Sequence, residues 1–208
     1  FARDLTGLLR EFDISASIGV AGMGEMTLEV YHAIKAAAQI APADDIVDEI
    51  ALKKTKREVE IAKKTGRIAD AGFEALMEYS RVGIREYELV GEMEFAMRSA
   101  GATDNFTLIS SGKHNYAMHP ASDKRLAPGD IVIGEISPVF EGQVVQICRT
   151  VVLGEPDSLL KERYQMLVHA LEEALGQVRP YSPASSMSIA MNKVISDAGY
   201  AKYCYPPY

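Results

Sequence analysis

The segment from Gly129 to Thr150 constrains the fold of this chain most. Its apolar residues alternate with polar ones on either side of a Gly142 break, which predicts a strand, a tight turn and a second strand. Alternate residues of a strand share a face, so Glu135 falls with Ile131 and Ile133, and Gln146 with Cys148 and Thr150. If residues 138–143 close a symmetric hairpin, positions 135 and 146 stand opposite each other with Cβ atoms about 4.5–5.5 Å apart. A carboxylate and an amide then face one pocket. The alternative is a hairpin whose Glu135 and Gln146 simply face water.

With 208 residues, 48% hydrophobic and 25% charged, the chain can bury a sizeable core and hold one large domain or parts of two. Its formal charge of −7, from 22 basic against 29 acidic side chains, argues against a nucleic-acid partner, because neutralising phosphates needs a basic surface. Lys53, Lys54, Lys56 and Arg57 form the dense basic run, read as the solvated start of a helix. Cys148 and Cys204 supply neither a disulfide framework nor metal-ligand spacing, so a reducing, cytoplasmic setting is expected. No apolar run approaches the about 20 residues of a membrane span. The start at Phe1 and the apolar end Cys204-Tyr205-Pro206-Pro207-Tyr208 read as the cut ends of a fragment.

Along the chain, residues 17–23 suggest a short buried strand and 26–38 a helix, an α/β piece that a break at 41–45 separates from the rest. The domains are accordingly placed at 1–45 and 46–208. Thr55 three residues before Glu58 forms a capping box, so a helix begins at Lys56. Val59, Ala62, Gly66, Ala69, Phe73 and Leu76 lay an apolar stripe along it to Ser80. A second helix over 86–99 carries Tyr87, Val90, Met93 and Met97 on one side. After the strands, Pro156 and Asp157 open a third helix with Leu160, Tyr164, Leu167, Leu171 and Ala174 as its core stripe, stopped by Gly176. A fourth spans 185–198, capped by Ser185 or Ser186 and stopped by Gly199. Helices grouped on both sides of one sheet segment favour α+β over a doubly wound sheet.

Among the histidines, His32 and His169 fall on predicted helices and read as surface or packing residues. His114 and His119 lie between a strand ending at Ser110 and the strand from Ile131, in a loop long enough to carry function. Cys148 beside Arg149 has the look of an activated thiol, yet adjacent strand residues point to opposite faces, so it reads as pocket lining or core.

Ser111-Gly112 with His119 eight residues on, then Leu126, Gly129-Asp130, Gly142 and Arg149-Thr150, together resemble the creatinase, prolidase and aminopeptidase P family. Lys54-Thr55-x-x-Glu58 and Gly101-Ala102 extend the resemblance over nearly all of 45–208. It implies the first half of a pita-bread domain, preceded by the tail of a smaller α/β domain. In metal-dependent members two hairpin aspartates, a later histidine and two later glutamates form a two-metal site that activates water for amide hydrolysis. Here the first aspartate position carries Glu135, which can still bind a cation, and the second carries Gln146, a neutral amide that cannot replace a bridging carboxylate. The other ligand positions would fall beyond Tyr208.

Creatinase resembles this pattern, since it has lost the metal-binding aspartates and uses the histidine matching His119. The resemblance therefore implies proton transfer by His119 with Glu135 as its catalytic companion, and substrate contacts from Gln146, His114 and Arg149. Creatinase has a glutamate where Cys148 stands, which argues against creatine itself. The expectation is a cytoplasmic, homodimeric C–N hydrolase of a small amide, amidine or dipeptide, with no membrane or nucleic-acid partner. The cofactor expectation is none, or else a divalent Mn, Zn, Fe or Co ion at Glu135. The alternatives are a non-catalytic binding module and a single-metal hydrolase or lyase. An enzyme should keep His119, Glu135 and Gln146 in one cleft, whereas a binding module can let them scatter.

Overall fold

The computed structural model describes residues 2–12, 17–112 and 117–204. They fall in two compact units, one up to Lys64 and one from Thr65. In the first, helix α1 (Ala2–Glu11) precedes strand β1 (Ser17–Val20), helix α2 (Leu28–Ala37), strand β2 (Gln39–Pro42) and helix α3 (Asp44–Leu52). Strands β1 and β2 pair in parallel, Ser17 with Gln39 through Val20 with Pro42, which is the α/β piece read from the sequence. The predicted strand over 17–23 stops at Val20, and a 3-10 turn takes Met23–Glu25. The predicted break at 41–45 is the end of β2 and the start of α3. Asp44 and Asp45 occupy the first turn of that helix, where the dipole favours acids, and Asp44 Oδ1 accepts the Gly22 N–H at 2.8 Å.

Helix α4 (Lys56–Tyr79) begins where the capping box places it. Thr55 N–H donates to Glu58 Oε2 at 2.6 Å, and Glu58 N–H donates to Thr55 Oγ1 at 3.2 Å. Its buried stripe is Thr65, Ile68, Ala69, Gly72, Ala75 and Leu76, so the predicted stripe is right at its C-terminal end, whereas Val59 is exposed. A short connection through Val82-Gly83-Ile84 leads to α5 (Glu86–Ser99), which buries Leu89, Val90, Met93 and Met97. Tyr87, predicted on that face, is exposed.

The sheet has β3 (Asp104–Gly112), β4 (Ile131–Phe140), β5 (Gln143–Val144) and β6 (Ile147–Val152), all antiparallel, with β4 between β3 and the β5–β6 strand line. Ile109, Val132 and Ile136 join Ile68, Leu76, Leu89, Met93 and Met97 in one core. Close approach between α4 and β4 depends on two glycines. A Cβ on Gly72 would meet Ile136 Cγ2 at 2.9 Å, and one on Gly134 would meet Leu76 Cδ2 at 3.0 Å.

The hairpin differs from the symmetric loop expected over 138–143. Pro138 lies inside β4, buried, and the turn is only Glu141-Gly142, with φ of 46° and 78°. Positive φ at both central positions is the type I′ geometry that matches strand twist. The pairing runs from Phe140 with Gln143 to Ile131 with Val152 in one register, so Glu135 faces Cys148 rather than Gln146. The ladder is interrupted at Val145 and Gln146, because Pro138 accepts from Val145 N–H but has no N–H to return.

Helix α6 (Ser158–Leu175) is capped by Asp157, whose Oδ1 accepts the Leu160 N–H at 2.7 Å, and ends at Gly176. It packs on α7 (Ser185–Ile195). The predicted core stripe of α6 is corrected in part: Tyr164, Leu167 and Leu171 are exposed, whereas Ala174 is buried as expected together with Ala170, and these small side chains permit close helix approach. Helix α7 starts after Ala184 rather than on a serine cap, and Gly199, at φ 87°, sits in the π turn that follows it. Helix pair, sheet, helix pair is the α+β order that the sequence implies. Among the described residues no helix is long and apolar enough to cross a membrane.

Candidate active site

Two polar groups emerge. The first lies on the face of the β4–β6 pair that carries Ile133, Glu135, Cys148 and Thr150. Gln146 Nε2 donates to Glu135 Oε1. The register puts Gln146 two residues from the partner of Glu135, so the pair is diagonal, within reach of two long side chains. The expected carboxylate–amide contact is therefore made, by a different register from the one proposed. Cys148 is exposed, and burial of its sulfur followed by the Glu135 charge pushes its thiol above the ordinary value, against the smaller pull of Arg149. It is a protonated thiol on the pocket face and not an activated nucleophile. Thr150 leads from this face into a cavity of about 230 Å³ lined by Val152, Pro156, Leu160 and Tyr164.

Arg149, next along β6, points to the other face. Its guanidinium lies 5.7 Å from the centroid of the Phe73 ring on α4, and its Nη1 donates to Cys148 O at 2.9 Å. The structure does not bring it to Glu135 and Gln146. His114 lies outside the described residues. His32 and His169 are exposed on α2 and α6.

The second group surrounds His119. The residue bridges to Ile109 of β3 through two backbone hydrogen bonds, of 2.9 and 3.0 Å, on the edge of β3 away from β4. Opposed residues share a face, so His119 belongs to the side of the buried Ile109, where α5 packs. Its Nδ1 lies 2.9 Å from Pro120 O and 3.9 Å from Glu86 Oε2. A carbonyl oxygen only accepts, so Nδ1 carries a proton, and in the neutral ring Nε2 then holds the lone pair. Among the described residues no hydrogen-bond partner occupies Nε2, and the side chain is 44% exposed.

Glu86 was not marked by the sequence. It opens α5, its side chain has no exposed surface, and it accepts hydrogen bonds from Ser111 Oγ, from Ser122 N–H at 3.0 Å and from Ser122 Oγ at 2.6 Å. Lys124 Nζ extends the network, donating to Ser111 Oγ at 2.6 Å and to Asp130 Oδ2 at 3.0 Å. Asp130 Oδ2 also accepts the Ala127 N–H at 2.9 Å, which gives the Gly129-Asp130 pair a structural role. An acid in the first turn of a helix reads as a dipole partner in solvent, and nothing in hydrophobic periodicity reveals that this one is buried.

A two-metal centre does not fit these residues. It requires bridging carboxylates, whereas among the described residues of the β4–β6 pair Glu135 is the one carboxylate on that face, and it already accepts from the Gln146 amide. Among the described residues no group of three or more His, Cys, Asp or Glu side chains converges.

Comparison with known proteins places the chain. It is 31% identical over 180 residues to the uncharacterized peptidase YqhT of Bacillus subtilis, covering 85% of this chain and 51% of that protein. It is 31% identical over 163 residues to the Xaa-Pro dipeptidase of Pyrococcus furiosus, covering 77% and 47%. It superposes on the Xaa-Pro dipeptidase of Bacillus anthracis with a TM-score of 0.84 at 28% identity, over 97% of this chain and 58% of that one. The fold also matches the X-Pro aminopeptidase of Thermotoga maritima, with a TM-score of 0.85 at 24% identity over 97% and 58%. The chain thus spans about half the length of the curated relatives it matches. The fold is that of the first part of a pita-bread domain, as the motifs imply. The matching family is described as a metallopeptidase family, so the expectation of no cofactor has no support from it. With the family's sequence model matching residues 60–206, the chain belongs to metallopeptidase family M24.

Proposed function

We propose that this chain is part of a C–N hydrolase of the Xaa-Pro dipeptidase type, acting on a dipeptide or similarly small amide, with His119 as the proton-transfer residue. The observation that carries the reading is the state of the His119 imidazole. Nδ1 is committed to Pro120 O, which leaves Nε2 of the partly exposed neutral ring as a base. In the reaction the proton of an attacking water goes to Nε2 as its oxygen bonds to the carbonyl carbon. Nε2 then returns the proton to the nitrogen whose bond to that carbon breaks. By register Glu135, Gln146 and the cavity beside Thr150 lie on the other face of the sheet from His119, so this reading gives them no contact with a dipeptide held at Nε2.

The family similarity supports the hydrolase class. We further propose that the protein is a cytoplasmic homodimer, with residues 1–45 the end of its smaller domain, as the resemblance implies. No step is assigned to a metal, because the residues of this chain do not fit a two-metal centre.

One observation favours a second reading, a non-catalytic binding module. His119 and Glu135 sit on opposite faces by register, with β3 between their strands, and two strand spacings are about 10 Å. An extended dipeptide spans about 7 Å. The test is hydrolysis of Ala-Pro and of creatine-like amidines by the full-length protein, with its metal content measured alongside. Release of alanine and proline supports the hydrolase. Absence of turnover on every substrate, with retained dipeptide binding, supports the module.

A further inference from the structure

Glu86 is a fully buried carboxylate to which the reaction above gives no part. Burial opposes its charge, yet the hydrogen bonds from Ser111 and Ser122, with the nearby His119, outweigh that and hold its carboxyl below the usual range. It is thus a fixed negative charge inside the protein, at the point where α5, β3 and the segment carrying His119 meet. The same segment is pinned by backbone bonds on both sides. His119 exchanges N–H and C=O with Ile109, Glu86 N–H donates to Lys124 O at 3.0 Å, and Tyr87 N–H donates to Ser122 O at 3.2 Å. A surface histidine needs no such frame. A histidine that must present one particular nitrogen does.

We propose that Glu86 is a positioning residue for His119: it anchors Ser122, three residues on, and faces Nδ1 across 3.9 Å with its charge. Through these contacts it keeps the ring in the Nδ1–H tautomer and favours the imidazolium formed when Nε2 takes a proton. Glu86 touches no substrate. Its effect passes through the ring, as the orienting carboxylate of a catalytic triad acts through its histidine. The inference rests on the reading of His119 as the proton-transfer residue.

Nitrogen-15 spectra of the His119 ring, recorded with the ring neutral, test it in the full-length protein and in its Glu86→Gln and Glu86→Asp variants, each assayed on Ala-Pro. The wild type should show the Nδ1–H tautomer. Glu86→Gln should mix in the Nε2–H form and lower kcat about tenfold or more with little change in KM, and Glu86→Asp should recover part of both. An Nε2–H ring in the wild type overturns the proposal, as does an unchanged tautomer with unchanged kcat in folded Glu86→Gln. If Glu86→Gln does not fold, Ser122→Ala decides by the same two criteria, since it removes one donor to Glu86 and leaves the carboxylate in place. His119→Ala separates the two claims. Wild-type turnover in that variant overturns the role of His119 itself, while its collapse beside a fully active Glu86→Gln overturns the role of Glu86 alone.

Discussion

At the scale of single residues, the chemistry of this chain turns on partners that sequence position does not reveal. Cys148 stands opposite Glu135, and burial with that neighbouring charge raises its thiol. It should therefore alkylate more slowly at pH 7.5 than a free cysteine despite its exposure, and Glu135→Gln should speed the reaction, as timed iodoacetamide labelling would show. A rate equal to that of free cysteine in both forms would contradict the pairing. For Glu86 the folded protein lowers the carboxyl from its ordinary 4.5, so the ionised form is the one that folding favours. Its contribution is whole above the unfolded value and is lost as pH falls through the folded one. Urea midpoints of the wild type should fall over that acid range, and Glu86→Gln should show a shallower fall. His119, Glu135 and Gln146 were legible as candidates from motif spacing. Glu86 was not, because a buried acid and a solvated one look alike in the first turn of a helix.

At the scale of elements, local chemistry carried the sequence reading where it was specific. The Thr55–Glu58 box and the Asp157 cap set the starts of α4 and α6, and both form as hydrogen bonds. The observed register departs from the symmetric loop over 138–143 because Pro138 sits inside the strand, accepting from Val145 N–H while the bond its own missing N–H would make is left out of the ladder. The exposure of Tyr164, Leu167 and Leu171 in the α6 stripe was not legible in the sequence, because periodicity reports which residues share a face and not whether anything covers it. Helix–sheet packing yields a direct test at Gly72, where a methyl group would enter the space of Ile136 and Met97. Gly72→Ala should lower unfolding stability by about 1–2 kcal/mol, the overpacking outweighing the roughly 1 kcal/mol that alanine gains in a helix. An unchanged or higher urea midpoint would show that Met97 yields the space freely.

At the scale of the whole molecule, the fold and the family follow from the order helix pair, sheet, helix pair and from motifs spread over residues 54–150, and the comparisons agree. The site is less complete. This chain spans about half the length of its curated relatives, and it presents one carboxylate–amide pair and one framed histidine on different faces of the sheet. That separation was not legible in the sequence, since faces follow from a pairing between Ile109 and His119 that no local pattern encodes. The claim that His119 transfers the proton is tested most directly by steady-state hydrolysis of Ala-Pro by the full-length protein and by its His119→Ala variant, with folding checked by circular dichroism. A fall in kcat of about 10²–10⁴ in a folded variant is the predicted result. Equal turnover in the two proteins, or none in the wild type, would contradict it.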